Sequence, residues 1–425
     1  MLPGSPAHRS LPSENYPLGR NWVVGAQLST HAAGGRSNVA QALAAVARVA
    51  SAVKLDLLIL GASEVPELFA AFTDRQSRPV PETYLWYNLL SDVPGFDTDD
   101  LVVNWRGEVS RGWGGWAEQQ PDVHETFRFA CPNNPEARRK TLSHLGKLLD
   151  RYPFDGVFLD KMRFPSAANG ANDMVSCFCP HCRRAAAATG LDLTAVARLF
   201  EARSLSGETQ RGAHVAAGKL WTDELLAETS LLRSFLRFRS DSITRLVAEA
   251  SAEARVRGRR VALDLFSPSL APIVGQDYHR LAEYADWVKP MTYRVARGPA
   301  SLRLELPAVV ANLAKLSGST EAEIVAWCTS HIAGFDPKPF DLIDRVGVPF
   351  EIVRDEIAMA VRTMKTVPVY FGLELIRYEG SFETTPDDVI GAVRAGQAAD
   401  AAGAIISWDL MHAPADGLAA LDGAL

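Results

Sequence analysis

The sequence predicts an α/β chain closed into a (β/α)8 barrel, the TIM-barrel architecture, and three observations carry that prediction. Short apolar runs alternate with longer stretches whose apolar residues recur at helical spacing, the signature of repeated βα units. The strand candidates come to eight with one to spare. No Gly-x-Gly-x-x-Gly loop opens a helix after the first of them, so the competing open, doubly wound sheet lacks its dinucleotide fingerprint.

The expected strands, in order, are Trp22–Leu28, Leu55–Leu60, Thr83–Leu89, Gly156–Asp160, Val261–Phe266, Trp287–Tyr293, Val369–Leu373 with Glu374 at its end, and Ala404–Trp408. A ninth run, Thr126–Ala130, belongs to an excursion after the third strand, because Arg106 to Asp122 is rich in Gly and Trp and suits a long decorated loop. Between strands, Val39, Leu43, Val46, Val49, Ala50 and Val53 recur at helical spacing, as do the apolar positions of Leu225 to Val247. The stretch 166–259 between the fourth and fifth strands is longer than one helix needs and is expected to be an insertion on the active-site face. Residues 1–20, rich in Pro, Ser and Gly, are expected to form a flexible N-terminal segment, leaving 21–425 as one barrel domain.

Composition excludes whole classes of function. The chain has 425 residues, 47% hydrophobic, and a formal net charge of -6 without a basic run to track phosphates, which argues against a nucleic-acid partner. No apolar run approaches the roughly 20 residues that cross a bilayer, and no apolar signal core opens the chain, so the expected location is cytoplasmic. A homo-oligomer stays open, since barrels of this kind often associate.

Five cysteines in a chain without an export signal argue against a disulfide framework. Cys177, Cys179 and Cys182 lie within six residues, and thiolates at such a spacing can converge on one metal ion across a tight turn. Zinc is the natural ion, held in a closed tetrahedral site that ties loops together and does not activate water. The fourth ligand is taken as Cys131, which opens Cys131-Pro132-Asn133-Asn134-Pro135, with His181 as the alternative. The plain alternative is a group of thiols with no metal. Cys328, in Val325-Ala326-Trp327-Cys328, suits a small core residue.

In a barrel the residue ending each strand faces the mouth, so the acids there are candidates for chemistry. Asp160 ends Phe154-Asp155-Gly156-Val157-Phe158-Leu159-Asp160, Glu374 ends Val369-Tyr370-Phe371-Gly372-Leu373-Glu374, and Asp264 and Asp409 complete the set. Two carboxyl groups are the usual equipment for splitting a glycosidic bond, one protonating the leaving oxygen and one attacking or activating water. Each acid has a plain alternative role in a rim salt bridge with Lys161, Arg163 or Lys289. Arg163, Lys289, Tyr293 and Trp408 are candidate substrate contacts with Asp409, the aromatics as stacking faces, and His31 follows the first strand within reach of the mouth. Trp105, Trp113 and Trp116, among the glycines of the third loop, suit either an aromatic lid or a packed loop.

These residues resemble known families. Phe154 to Asp160, followed by Arg163-Phe164-Pro165, is similar to the fourth-strand motif of uncharacterised glycoside-hydrolase-like barrel families, and Lys289-Pro290-Met291-Thr292-Tyr293 is similar to their sixth strand. Cys131-Pro132-Asn133 with Cys177 to Cys182 resembles the arrangement of family 42 β-galactosidases, where one Cys after the third strand and a Cys-x-Cys-x-x-Cys group beyond the fourth bind a structural zinc. The resemblance implies a hydrolase barrel acting on carbohydrate through Asp160 and Glu374, with Glu374 at the position of a strand-seven nucleophile and Asp160 as acid/base, or with the roles reversed if the chain follows barrels whose nucleophile is an Asp on strand four. The chain departs from family 42 at strand four, where Leu159-Asp160-Lys161 stands in place of an Asn-Glu pair, so the acid/base is not carried over. Two further readings follow from the same residues. One is a carbohydrate-binding barrel without hydrolysis; the other is a lyase or isomerase on a sugar acid, with Lys161, Lys289 or Tyr293 moving the proton and Arg163 clamping the carboxylate.

Overall fold

A computed structural model describes the backbone of residues 22–30, 39–61, 63–74, 76, 80–113, 127–206, 230–317, 320–331, 343, 346–378 and 382–425. The barrel strands are β1 (Val23–Ser29), β2 (Leu57–Gly61), β3 (Glu82–Asn88), β4 (Gly156–Asp160), β5 (Arg260–Phe266), β6 (Trp287–Met291), β7 (Tyr370–Glu374) and β8 (Gly403–Ser407). All pair in parallel in the spatial order β6-β5-β4-β3-β2-β1-β8-β7, and a bridge between Val288 and Val369 brings β6 back beside β7. The molecule is a (β/α)8 TIM barrel.

Successive residues of each strand point to opposite faces. Leu58 and Leu60, Val157 and Leu159, Val261 and Leu263, and Phe371 and Leu373 are buried under the surrounding helices. The alternate set, Leu57, Ile59, Tyr84, Trp86, Phe158, Ala262, Trp287 and Ile405, forms a second cluster inside the barrel. Trp287 stacks on Phe158 at 5.5 Å between ring centroids and meets Tyr84 edge-on at 5.3 Å. This plug requires small neighbours: a Cβ at Gly156 would lie 2.3 Å from the Tyr84 ring, and one at Gly372 would lie 2.7 Å from that of Tyr293.

The run expected at Thr126–Ala130 is not a barrel strand. Phe127 to Phe129 are irregular, and Ala130 bridges only to Leu101 within the excursion after β3, while Thr126 lies outside the described residues. The expected sixth strand is shorter than its apolar pattern: Thr292 and Tyr293 leave the sheet where the chain turns to wrap Glu374. Of the stretch 166–259, helix Ser230–Arg255 packs on β5 and on helix Pro135–Arg151, so it is the barrel's own crossover between β4 and β5. The additional structure is the run before it, with helices Ala171–Met174, Pro180–Ala187 and Leu193–Ser206. It joins the loop after β3 through a bridge between Asn104 and Ser176. Among the described residues no helix is long and apolar enough to cross a membrane. Residues 1–20 and His31 lie outside the described residues, as do Trp116 and the side chain of Cys328.

Candidate active site

Four polar residues form one row across the mouth. Asn88 pairs with Asp160 between β3 and β4, the β4–β5 register, continued one residue past its last pair, sets Asp160 beside Asp264, and Asp264 pairs with Lys289 on β6. All four have the parity of the inward-facing set, directly above the aromatic plug. Adjacent strands are roughly 4.8 Å apart, so the row brings the two carboxyl groups side by side.

Asp160 is held as an acceptor. Its Oδ2 receives the Trp86 indole N–H at 2.9 Å, and its Oδ1 receives the backbone N–H of Lys161. Lys161 adopts a left-handed φ of 50° and turns its ammonium away to Asp92 at 2.6 Å, with the Phe127 ring 4.5 Å from Nζ. Asp160 is 7% exposed and Asp264 only 2%.

Asp264 is held differently. Burial, opposed by Lys289 and reinforced by the negative charge of Asp160, pushes its carboxyl up to about 8. Lys289 donates to Asp264 Oδ2 at 2.9 Å and reaches across the barrel to Gln27 Oε1 at 2.7 Å. Asp264 Oδ1 has no hydrogen-bond partner among the described residues and is free to carry the proton. Lys289 is thereby fully buried and committed to this bridge, not available as a solvent-facing clamp.

Glu374, the candidate on β7, is embedded in the chain that follows β6. Its carboxylate accepts the backbone N–H groups of Arg294 (2.6 Å), Val295 (2.9 Å) and Ala296 (2.6 Å). Burial raises its pKa and these three amides oppose the rise. Arg294 in turn donates to Val348 O and Val346 O and pairs with Asp388, which fixes the same segment to the barrel wall. This segment carries Tyr293, whose phenol is buried near Asp264, Asp160, Glu374 and Ser407 and is pushed well above its ordinary pKa, chiefly by burial. Trp408, half-buried, meets the Tyr293 ring edge-on at 5.5 Å and stands near Tyr378.

Two candidates serve the frame. Asp409 is fully buried and caps the turn Leu410–His412 by accepting from Met411 N at 3.1 Å; burial pushes it up to about 7. Arg163 is sandwiched between Phe129 and Phe266, 4.3 and 4.6 Å from their centroids, and burial lowers it to about 10. The negative charge of Glu305, which ties Ser166, Ala168 and Ala300 together, steadies it. Glu305 has no strand-end signal in the sequence. Nor do Gln27, Trp86 and Asn88, although the alternation Tyr84, Trp86, Asn88 along an apolar strand could have placed Asn88 on the inner face.

The four thiols converge. The sulfur atoms of Cys131, Cys177, Cys179 and Cys182 all lie within 4.8 Å of one another, with Cys131 to Cys182 at 3.3 Å and Cys131 to Cys179 at 3.4 Å. These separations exceed a disulfide bond and bracket the roughly 3.8 Å between ligands in a tetrahedral zinc–thiolate site. Backbone or amide N–H groups of Val103, Asn133, Cys179 and Cys182 point at the sulfurs at 3.4 to 3.5 Å, as they would toward thiolates. Buried Arg239, whose positive charge the sulfurs of Cys177 and Cys182 favour, would offset part of the negative charge of such a centre. The donor set fits zinc. His181 instead meets Arg184 at the exposed end of its helix.

Among solved structures, the chain is similar to the β-galactosidase from the psychrophilic Marinomonas ef1, with a TM-score of 0.53 and 13% identity over 94% of this chain and 58% of that one. It is also similar to the PgaB (BpsB) glycoside hydrolase domain from Bordetella bronchiseptica, with a TM-score of 0.50 and 13% identity over 92% of this chain and 94% of that one. At this identity the likeness is one of fold. No family model matches the chain, and no curated protein matches it.

Proposed function

We propose that the protein is a glycoside hydrolase whose working pair is Asp160 and Asp264. The observation that carries this reading is two neighbouring carboxyl groups in different settings: Asp160 accepts two N–H donors, while Asp264 is more deeply buried, has one oxygen bridged by Lys289 and the other without a partner among the described residues, and is pushed up to about 8 by burial. Different bonding and burial of two neighbouring acids is the arrangement that assigns one as acid and the other as base or nucleophile. Asp160, the more accessible, meets the anomeric centre or the water that attacks it; Asp264 holds the proton that the leaving oxygen takes. The bond from the anomeric carbon to that oxygen breaks, water gives hydroxyl to the carbon, and its remaining proton returns to the pair. Glu374 orients the segment that presents Tyr293, and Trp408 offers a face to the sugar ring. The two solved barrels similar in fold, a β-galactosidase and a glycoside hydrolase domain, support the class by analogy.

In the same reading, Cys131, Cys177, Cys179 and Cys182 hold a structural zinc that fastens the loop after β3 to the segment beyond β4. It takes no part in the chemistry. The experiment is product release from a broad panel of oligosaccharides and glycosides by the wild type and by Asp160→Asn at matched folding. Product from the wild type, reduced at least about 1,000-fold in Asp160→Asn, is expected of a residue acting on the reacting centre. Equal turnover by both proteins overturns the assignment.

A further inference from the structure

Asn88 ends β3 beside Asp160, on the side away from Asp264. It is 4% exposed, and neither its Nδ2 nor its Oδ1 has a hydrogen-bond partner among the described residues. Asn134, by contrast, is equally buried and is used in full, capping a helix through Oδ1 and donating to the Asp97–Asp100 turn. A buried amide with both ends idle costs stability, and a chain keeps one at a strand end in a barrel mouth when something outside the chain completes it. The inward parity it shares with Tyr84 and Trp86 aims it where a sugar would sit.

The geometry points to a role: we propose that the Asn88 carboxamide binds the sugar of the cleaved bond by its hydroxyls at carbons 2 and 3. An amide presents a donor and an acceptor side by side, matching two adjacent hydroxyls, one accepting from Nδ2 and the other donating to Oδ1. With the anomeric carbon over Asp160 and the leaving oxygen toward Asp264, the β3 side receives either carbon 2 or the ring oxygen. The ring oxygen only accepts, so on that side Oδ1 would depend on the rotatable hydroxyl at carbon 6; on the other side two hydroxyls fixed to adjacent ring carbons satisfy both atoms.

The proposal rests on the hydrolase reading for the orientation of the ring, so its test reads binding separately from turnover. The probes are methyl glycosides of glucose, galactose and mannose and their 2-deoxy counterparts, titrated by melting shift against the wild type, Asn88→Ala, Asn88→Leu and Asp160→Asn. The wild type should bind a parent glycoside about 10-fold tighter than its 2-deoxy form, and both Asn88 variants should erase that preference. Without sugar, Asn88→Leu should melt no lower than the wild type, since an apolar group of the same shape removes an unpaired polar one. A preference that survives in both variants, a fall of several degrees in unliganded Asn88→Leu, or no wild-type shift with any glycoside overturns the proposal. Asp160→Asn that keeps full turnover while the Asn88 effects hold would sink the hydrolase reading alone. Lost turnover in Asp160→Asn with an unchanged sugar preference in Asn88→Ala would sink the Asn88 role alone.

Discussion

Asp160 and Asp264 show how little of a residue's chemistry lies in its identity. Both are aspartates ending or nearing the end of an apolar strand, yet one accepts two N–H donors and the other is buried with an idle oxygen. If Asp264 is the proton source, kcat/KM should fall as pH rises through about 8, where it loses that proton, and a pH profile that stays flat to pH 10 would contradict the role. Stability should follow with the same sign. The folded pKa lies above the unfolded value of 3.8, so the contribution of the bound proton is complete below that pH and is lost progressively up to about 8. Asp264→Asn escapes this loss. Its melting temperature relative to wild type should therefore climb between pH 4 and 8, as a thermal scan at several pH values would show.

At the scale of elements, strands and loops differ in how much of them could be read from local pattern. β4 matches its expected bounds because Gly156 and Asp160 bracket a wholly buried run. The sixth strand does not, because the expected run continues to Tyr293 while the backbone leaves the sheet after Met291 to meet Glu374, a partner some 80 residues away that no local pattern reveals. Glycine positions inside strands test the packing directly. Gly156→Ala would press a Cβ to 2.3 Å from the Tyr84 ring and 2.9 Å from the Arg260 carbonyl, and should cost about 1–3 kcal/mol in chemical denaturation. Three of the four converging cysteines were legible for the opposite reason: Cys177, Cys179 and Cys182 are close in sequence, and spacing alone limits what they can hold. If zinc fastens it, chelation should release about one zinc per chain and lower the melting temperature by about 5 °C or more, with Cys179→Ser doing the same. A chain free of zinc and equally stable would exclude the metal.

For the whole molecule, closure of the barrel converts eight separate strand ends into one mouth. Asn88, Asp160, Asp264 and Lys289 come from four strands spread over about 200 residues, and become neighbours only when the register of β3 to β6 is set. The sequence by itself determined the class of fold, the order of the strands, that Asp160 and Glu374 end two of them, and which cysteines belong together. These depend on periodicity and short spacing, which the chain carries locally. Only the tertiary structure decided depth and partnership: that Lys289 spans the barrel to Gln27, that Glu374 is gripped by the amides of Arg294 to Ala296, that Arg163 is shut between two phenylalanines, and that the Asn88 amide beside Asp160 has no partner among the described residues. Burial and hydrogen bonding between distant segments set the protonation and availability of each group, and they exist only once the barrel has closed.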